Sequence, residues 1–215
     1  MEEQLKTEQL KTGTTTVGIV CKDGIVLAAD KRATAGFMIV DKRADKVHII
    51  NDDFAVTIAG NVSDAQLLIK LIRAELKLKE VRTNKRTSAK EAANLLGGLL
   101  FNSIRRPSML PGITHFLLGG KDVHGVHLYD LFPDGSVTKV RDFISSGSGS
   151  VFAYGVLETQ YKEGITTQEG VKIALRAVNT ALQRDAASGN GIDIIVIDEK
   201  EIKKVLQKEL EISLL

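Results

Sequence analysis

The sequence predicts an α+β fold: a four-layer αββα sandwich in which two mainly antiparallel sheets pack face to face and a helix pair covers each outer face. Three observations predict it. Short apolar runs typical of strands occur in two separate stretches, each stretch is followed by two longer segments with helical periodicity, and a buried strand ends the order. Runs of strands followed by runs of helices favour antiparallel sheets over a doubly wound parallel sheet.

The first stretch of strands begins near Thr15. The run TTVGIVCKDGIVLAADKRAT holds two apolar segments on either side of a Lys-Asp-Gly turn. This pattern favours a hairpin, because Asp-Gly tolerates positive φ. The segments KVHII and FAVTIAG predict a second pair of strands around the polar turn of residues 51–53.

The hydrophobic period changes to that of a helix at Ser63. The segment SDAQ matches a capping box with Ser63 as N-cap and Gln66 at N3. The predicted apolar face of this helix comprises Leu67, Leu68, Leu71, Ile72, Ala74 and Leu78. A second capping box, formed by Ser88 and Glu91, opens another amphipathic helix, which we expect to end before Pro107.

The second half of the chain repeats this order. The segments ITHFLLGG, VHGVHLYDL and SVTKVRDF predict strands, with a Pro-Asp-Gly turn between the last two. Helices are predicted over about 151–161 and, after a capping box at Thr166 and Glu169, through VKIALRAVNTALQRDA. The segment GIDIIVID predicts a buried strand, and the tail from about residue 199 is predicted to be helical or extended.

No linker divides the chain, so residues 14–215 are expected to form one domain behind a detachable leader, residues 1–13.

The composition excludes several classes of function. The chain has 215 residues, of which 43% are hydrophobic and 26% charged, as in soluble globular domains. The formal charge of +2 is too small to favour nucleic acid or an anionic membrane as a partner, and no run of about 18 apolar residues predicts a membrane span. The lone Cys21 predicts a buried thiol and a reducing compartment, and the leader lacks the apolar segment of a secretion signal. We therefore expect a cytoplasmic protein.

The common motifs of metal and phosphate sites are absent from the sequence. There is no HExxH motif, no Gly-rich phosphate loop with a Lys-Ser or Lys-Thr pair, and no GxSxG motif. In HGVH, the spacing on a predicted strand directs His124 and His127 to opposite faces. The remaining histidines are His48 and His115. We expect neither a metal nor an organic cofactor.

Three consecutive threonines, Thr14, Thr15 and Thr16, follow Gly13. β-Branched residues are common in strands, which explains the run without any chemistry. Alternatively, one of them is a nucleophile. A threonine hydroxyl needs a base, and the residue's own α-amine, with a pKa of about 7.7–8.0, can serve as one. Such a mechanism requires a cut immediately before the nucleophile, and Gly13 suits that cut because it lets the chain bend tightly.

Five blocks of sequence carry a resemblance that decides between these interpretations. GTTTVGIVCKDGIVLAADKRAT, DKVHII, TIAGNVSDAQLL, SSGSGSVFAYGVLETQY and QRDAASGNGIDIIVI occur in this order between Gly13 and about Asp198. Together they resemble the β subunit of the proteasome core particle, most closely the archaeal catalytic type with a short propeptide. The resemblance implies an N-terminal-nucleophile hydrolase, a threonine endopeptidase whose nucleophile, Thr14, is exposed by autolysis after Gly13. Thr15 and Thr16 are then ordinary strand residues.

The resemblance also implies the rest of the site. The other positions that match the family's catalytic residues are Asp30, Lys46, Gly60, Ser148, Asp185 and Ser188. In that interpretation Lys46, held by Asp30, favours the deprotonated Thr14 hydroxyl and lowers the pKa of the α-amine, and Gly60 supplies an oxyanion-hole amide. The positions matching the substrate pocket are Ala33, Ala44, Ile58 and Val62. All four are apolar, which predicts cleavage after large hydrophobic residues.

Taken singly, each of these residues has a plain structural explanation. Lys46 is explained by a charged surface turn, and Gly60 is explained by a turn from a strand to a helix. Asp185 and Ser188 are explained by the end of a helix that Gly189 terminates. Only their joint pattern favours catalysis.

The resemblance further implies an assembly: heptameric β rings, one stacked on a second, between α rings, supplied with protein substrates by an ATP-dependent unfoldase. The tail contains apolar residues that could pack either against a partner subunit or against the chain's own domain. They are Ile202, Val205, Leu206, Leu210 and Ile212. The alternatives are a non-catalytic β-type subunit, an α-type ring subunit, the six-fold bacterial relative and a non-enzymatic α+β binding module. Retention of Thr14, Asp30 and Lys46 argues against a silent subunit.

Overall fold

The computed structural model describes residues 13–108 and 112–209. Within these residues it confirms the α+β sandwich: two five-stranded antiparallel sheets, a separate two-stranded hairpin and four helices. Of the predicted leader only Gly13 is described, and Leu210 and Ile212 of the tail lie outside the described residues. None of the described helices combines the length and the apolar character that a membrane crossing requires.

The first sheet contains Thr16, the last of the three consecutive threonines. Its strands are β1 (Thr16–Cys21), β2 (Gly24–Asp30), β10 (Phe143–Ser146), β11 (Gly191–Ile197) and β12 (Ile202–Glu209). They lie in the order β10-β1-β2-β11-β12. β1 and β2 form the predicted hairpin, with Cys21 opposite Gly24. The tail is extended over residues 202–209, where it pairs with β11 of its own domain.

The second sheet lies between the first sheet and a helix pair. Its strands, in spatial as well as chain order, are β5 (Val47–Ile49), β6 (Phe54–Gly60), β7 (Thr114–Asp122), β8 (Gly125–Leu131) and β9 (Val137–Val140). An apolar cluster, which includes Leu27 of β2 and Leu117 of β7, fills the space between the sheets. β2 is buried along its whole length, as its continuous apolar run requires.

The helices cover the outer faces in pairs. α1 (Val62–Thr83) and α2 (Ala89–Ile104) pack on the second sheet, and α3 (Ser150–Gln160) and α4 (Thr167–Arg184) pack on the first. The capping boxes predicted at Ser88 and at Thr166 are both present. This arrangement gives four layers, helices–sheet–sheet–helices.

The predicted start of α1 was wrong by two residues. Its N-cap is Asn61, whose side-chain oxygen accepts hydrogen bonds from the Ser63 backbone N–H at 3.0 Å and from the Ser63 hydroxyl at 2.8 Å. The backbone of Asn61 is extended, and asparagine caps a helix as well as serine does. The SDAQ match therefore lies inside the first turn, where Ser63 is a donor to the true cap.

The predicted apolar face of α1 was wrong in part. The buried residues are Ala65, Leu68, Ile69, Ile72 and Leu76. Leu67, Leu71 and Leu78 are 50%, 38% and 40% exposed. The helix carries two neighbouring apolar stripes, and the sheet buries only one of them, a choice that the helical period alone does not determine.

Three other parts of the fold differ from what the sequence predicted. SVTKVRDF is not one strand, because β9 belongs to the second sheet and β10 to the first, and the chain crosses between them at residues 141–142. The segment after Asp30 forms an unpredicted hairpin of β3 (Ala33–Ala35) and β4 (Met38–Asp41). His124 lies in the turn between β7 and β8, so that it does not share a strand with His127.

Candidate active site

The threonine run begins at one end of the first sheet, where β2 ends and β11 begins. Thr14 precedes β1 and is 4% exposed. Its hydroxyl donates a hydrogen bond to the carbonyl oxygen of Gly13 at 2.6 Å. The peptide N–H of Gly13 in turn donates to the Thr34 hydroxyl at 3.1 Å. The nucleophilic oxygen proposed from the sequence is thus held against the peptide bond that precedes it.

Gly13 fits this position because it has no side chain. A Cβ atom there would lie 1.7 Å from the Cβ of Ala187, far inside van der Waals contact. The loop that carries Ala187 follows α4, so the close approach depends on the glycine at position 13. Substitution would move either the Gly13 carbonyl or that loop.

Lys46 and Asp30 form a buried ion pair beside Gly13. The Lys46 ammonium donates to Asp30 Oδ1 at 2.7 Å and approaches the Gly13 carbonyl oxygen at 3.4 Å. Both side chains are almost fully buried. The Asp30 carboxylate also accepts backbone N–H bonds, which come from Thr15, Arg32 and Gly189. Asp30 therefore fixes the position of Lys46 and ties three segments of chain together.

Burial lowers the pKa of the Lys46 ammonium, and the nearby Asp30 carboxylate only partly opposes that effect. A lysine whose pKa lies below its ordinary value releases its proton more readily than a surface lysine. At this place, next to Thr14 and the Gly13 carbonyl, it can exchange a proton with the reacting groups.

Two serines and Asp185 lie on the other side of Thr14. The backbone nitrogen of Thr14 donates to Ser148 Oγ at 3.2 Å. The hydroxyls of Ser148 and Ser188 each donate to Asp185 Oδ2 at 2.6 Å. Ser148 begins the turn before α3, and Asp185 is the C-cap of α4. The fold thus brings together residues more than 130 positions apart in the chain.

Gly60 ends β6 with φ at +106°. A Cβ atom here would meet the Ile113 carbonyl oxygen at 2.3 Å, so that both the backbone angle and the available space require glycine. Gly60 lines the same cavity as Thr14.

That cavity has a volume of about 460 Å³ and joins Thr14 to the predicted substrate pocket. All four predicted pocket residues, Ala33, Ala44, Ile58 and Val62, line it, together with Thr14, Lys46 and Gly60. Sequence reasoning missed its polar wall, which consists of Thr34, Asp41, Arg43, Asp45, His48 and Gln66. Most of these residues lie on or beside the unpredicted β3–β4 hairpin, so no signal for them was available without that element.

His48 is the histidine of this wall. Burial lowers its pKa, with the Asp45 carboxylate opposing. Its Nε2 atom has no hydrogen-bond partner among the described residues. The lowered pKa favours the neutral imidazole, whose Nε2 atom is buried in the wall of the cavity.

The other histidines lie apart from this site, on the second sheet. His115 contacts Asp130, and His127 lies 3.3 Å from Asp122. Within residues 13–108 and 112–209, no group of three or more histidine, cysteine, aspartate or glutamate residues is placed to hold a metal ion. The absence of a metal cofactor stays a prediction.

Comparison with known proteins places this site in a family. Residues 10–197 match the family model described as "Proteasome subunit". The chain is 45% identical over 199 residues to the proteasome subunit beta of Ferroglobus placidus, with 93% of each chain covered. It is 42% identical over 204 residues to that of Archaeoglobus fulgidus, covering 95% of this chain and 94% of the relative. The corresponding protein of Methanocaldococcus vulcanius is 42% identical over 199 residues, covering 92% and 87%. The chain therefore belongs to the family of proteasome β subunits.

Proposed function

We propose that this chain is a catalytic β subunit of the proteasome core particle, a threonine endopeptidase that degrades unfolded proteins to peptides after removing its own residues 1–13. One observation carries the proposal: the Thr14 hydroxyl and the Lys46 ammonium converge on the Gly13 carbonyl oxygen, at 2.6 and 3.4 Å, inside a buried hydrogen-bonded site. Burying a lysine and an aspartate costs desolvation free energy, and this pair lies directly against the peptide bond that the proposed reaction cuts.

The first step is intramolecular. Thr14 Oγ attacks the Gly13 carbonyl carbon, the Gly13–Thr14 peptide bond breaks, and residues 1–13 pass to the hydroxyl as an ester while the α-amine of Thr14 becomes free. Before this step the Thr14 nitrogen is an amide and has no basicity, so another group must take the hydroxyl proton. Lys46, whose pKa burial lowers, lies 3.4 Å from the Gly13 carbonyl oxygen; in its neutral form it takes this proton and passes it to the Thr14 nitrogen as the peptide C–N bond breaks. Water then hydrolyses the ester and releases the leader.

The second stage is peptide hydrolysis. The free α-amine donates one N–H to Ser148, as the Thr14 nitrogen does in the uncut chain, and its lone pair remains available to accept the proton of Oγ. Oγ attacks the substrate carbonyl carbon, the α-ammonium returns its proton to the departing peptide amine as the scissile bond breaks, and water hydrolyses the acyl-enzyme that remains. Protonated Lys46 stabilises negative charge on Oγ, and the Gly60 N–H faces the developing oxyanion. The same residues thus serve both stages, with the base supplied first by a side chain and then by the new N-terminus.

As a member of its family the chain assembles with other proteasome subunits. We infer a heptameric β ring stacked on a second β ring and enclosed by α rings, in the cytoplasm, with an ATP-dependent unfoldase as the source of unfolded substrate. Enclosure suits such a peptidase, because it keeps folded proteins away from the nucleophile. A non-catalytic β-type subunit is the main alternative, and an α-type subunit is disfavoured by relatives that are all named beta.

The test of this function is a mass measurement combined with an activity assay. The full chain is assembled with its ring partners, and the intact mass of the purified subunit is determined. We expect a chain that begins at Thr14 and a particle that hydrolyses fluorogenic peptides. A subunit that keeps residues 1–13 in the assembled particle, together with no peptidase activity, would contradict the proposal and favour the non-catalytic alternative.

Specificity gives a second prediction. We expect a peptide panel to be cut about tenfold faster after leucine, phenylalanine or tyrosine than after arginine or glutamate, because four apolar residues line the pocket. Ala33→Val should lower cleavage after the aromatic residues more than cleavage after alanine, since it reduces the volume of the pocket. Preferential cleavage after arginine would mean that the substrate side chain reaches the carboxylates of Asp41 and Asp45 instead.

A further inference from the structure

Thr15 occupies a junction that the sequence did not predict. Its side chain is completely buried, and its hydroxyl lies 2.7 Å from the Ser188 hydroxyl. Its backbone N–H donates to Asp30 Oδ1 at 2.9 Å. One residue therefore contacts both the carboxylate that holds Lys46 and the serine–aspartate cluster on the opposite side of Thr14.

The direction of the hydrogen bonds in this cluster follows from their chemistry. An ionised carboxylate only accepts, so the hydroxyl hydrogens of Ser148 and Ser188 both point to Asp185. Ser188 has then used its single hydrogen, and the bond between Thr15 and Ser188 must be donated by Thr15. Two chains of hydrogen bonds thus end on Asp185. One runs from Thr15 through Ser188, and the other runs from the Thr14 nitrogen through Ser148.

Gly149 fixes the position of the Thr15 hydroxyl. A Cβ atom at Gly149 would lie 2.0 Å from Thr15 Oγ1 and 3.1 Å from Asp185 Oδ2. The Gly149 backbone is therefore packed directly against this junction, and its N–H donates to the Thr14 carbonyl oxygen at 3.2 Å. This contact gives a physical reason for the second glycine of the segment SSGSGS, and it leaves the Thr15 hydroxyl little freedom to turn away from Ser188.

We propose that Thr15 is a positioning residue for the α-amine of Thr14: by donating to Ser188 it fixes Asp185 in the orientation in which Ser148 accepts from the Thr14 nitrogen. The inference rests on the proposed function. An amine held through one N–H keeps its lone pair directed at its own Oγ, and this geometry is what the proton transfer needs. Thr15 does not line the substrate cavity, so its effect falls on the chemical step and not on substrate binding.

Thr15→Val tests this role, because valine keeps the shape of threonine and removes only the hydroxyl. In the assembled, processed particle we expect kcat to fall about tenfold, within the range that small misplacements cost, while KM changes less than about twofold. Thr15→Ser retains the donor and should restore most of kcat. The matched control is Thr16→Val at the next residue, where β1 begins. Its hydroxyl is equally buried and bonds Ser146 at 2.7 Å, away from the cluster around Asp185.

A double variant tests whether Thr15 acts through Ser188. If it does, Thr15→Val combined with Ser188→Ala should be no slower than Ser188→Ala alone, whereas independent roles would make the two losses multiply. Multiplying losses, or equal kcat in Thr15→Val and Thr16→Val, would overturn the inference. An inactive wild-type particle that retains its leader would instead contradict the proposed function itself, so the two failures are distinguishable.

Discussion

Replacing Thr14 with alanine is expected to leave residues 1–13 attached and to lower peptide hydrolysis about a million-fold, below detection, as loss of a covalent nucleophile does in other hydrolases. The substitution removes the oxygen that lies against the Gly13 carbonyl. The fold should change little, because the hydroxyl of Thr14 bonds only the adjacent residue among the described partners. Intact mass reports leader removal, and a fluorogenic peptide reports hydrolysis.

Two controls separate chemistry from folding. Thr14→Ser keeps a hydroxyl nucleophile and should retain both reactions at a reduced rate. Thr16→Ala removes another buried threonine hydroxyl, two residues further along the chain, which bonds Ser146; this variant should process and hydrolyse normally. If Thr14→Ala still lost its leader and still cut peptides, Thr14 would not be the nucleophile. Loss of one reaction alone would assign Thr14 to that reaction only.

Local patterns determined most of the secondary structure. The β1–β2 hairpin and the capping boxes of α2 and α4 depend on residues a few positions apart, and these elements formed as predicted. The start of α1 failed because two adequate caps, Asn61 and Ser63, lie two residues apart and the backbone uses the first. A match to the capping-box pattern does not tell which of two neighbouring N-cap residues the backbone uses.

Elements that depend on tertiary contacts were less predictable. The break between β9 and β10 has no proline or glycine to signal it, since the chain changes sheets across Arg141 and Asp142. The β3–β4 hairpin carries apolar side chains into solvent, with Phe37 fully exposed, which is the opposite of the pattern from which strands are predicted. Helix α1 has two apolar stripes, and only its packing against the second sheet determines which of them is buried and which stays exposed.

The candidate site shows the same difference between what local sequence patterns predict and what tertiary contacts determine. Its residues were assigned by resemblance, and no spacing rule places Ser148 beside a nitrogen 134 positions earlier. The structure adds what resemblance did not supply. It shows the direction of the hydrogen bonds onto Asp185, the polar wall of the cavity, and the contact of Thr15 with Ser188, a residue that strand propensity alone had explained.

Replacing Lys46 with methionine is expected to slow both leader removal and peptide hydrolysis about a thousand-fold, the range typical of a lost acid–base group. The substitution removes the cation next to the Gly13 carbonyl. It also leaves the Asp30 carboxylate buried without its partner, which costs about 3–5 kcal/mol of folding free energy. Activity and stability therefore have to be measured together, by peptide hydrolysis and by thermal unfolding of the same samples.

The double variant Lys46→Met/Asp30→Asn removes both charges and should recover much of the lost stability while activity stays low. A second buried pair provides the matched control: Lys31 donates to Asp193 at 3.1 Å, and both side chains are buried as deeply as those of Lys46 and Asp30. Lys31→Met should cost similar stability yet reduce hydrolysis less than tenfold, because Lys31 does not line the cavity that holds Thr14. If hydrolysis instead followed stability across all three variants, Lys46 would have a structural role only, and the proton transfer from Thr14 would need another acceptor.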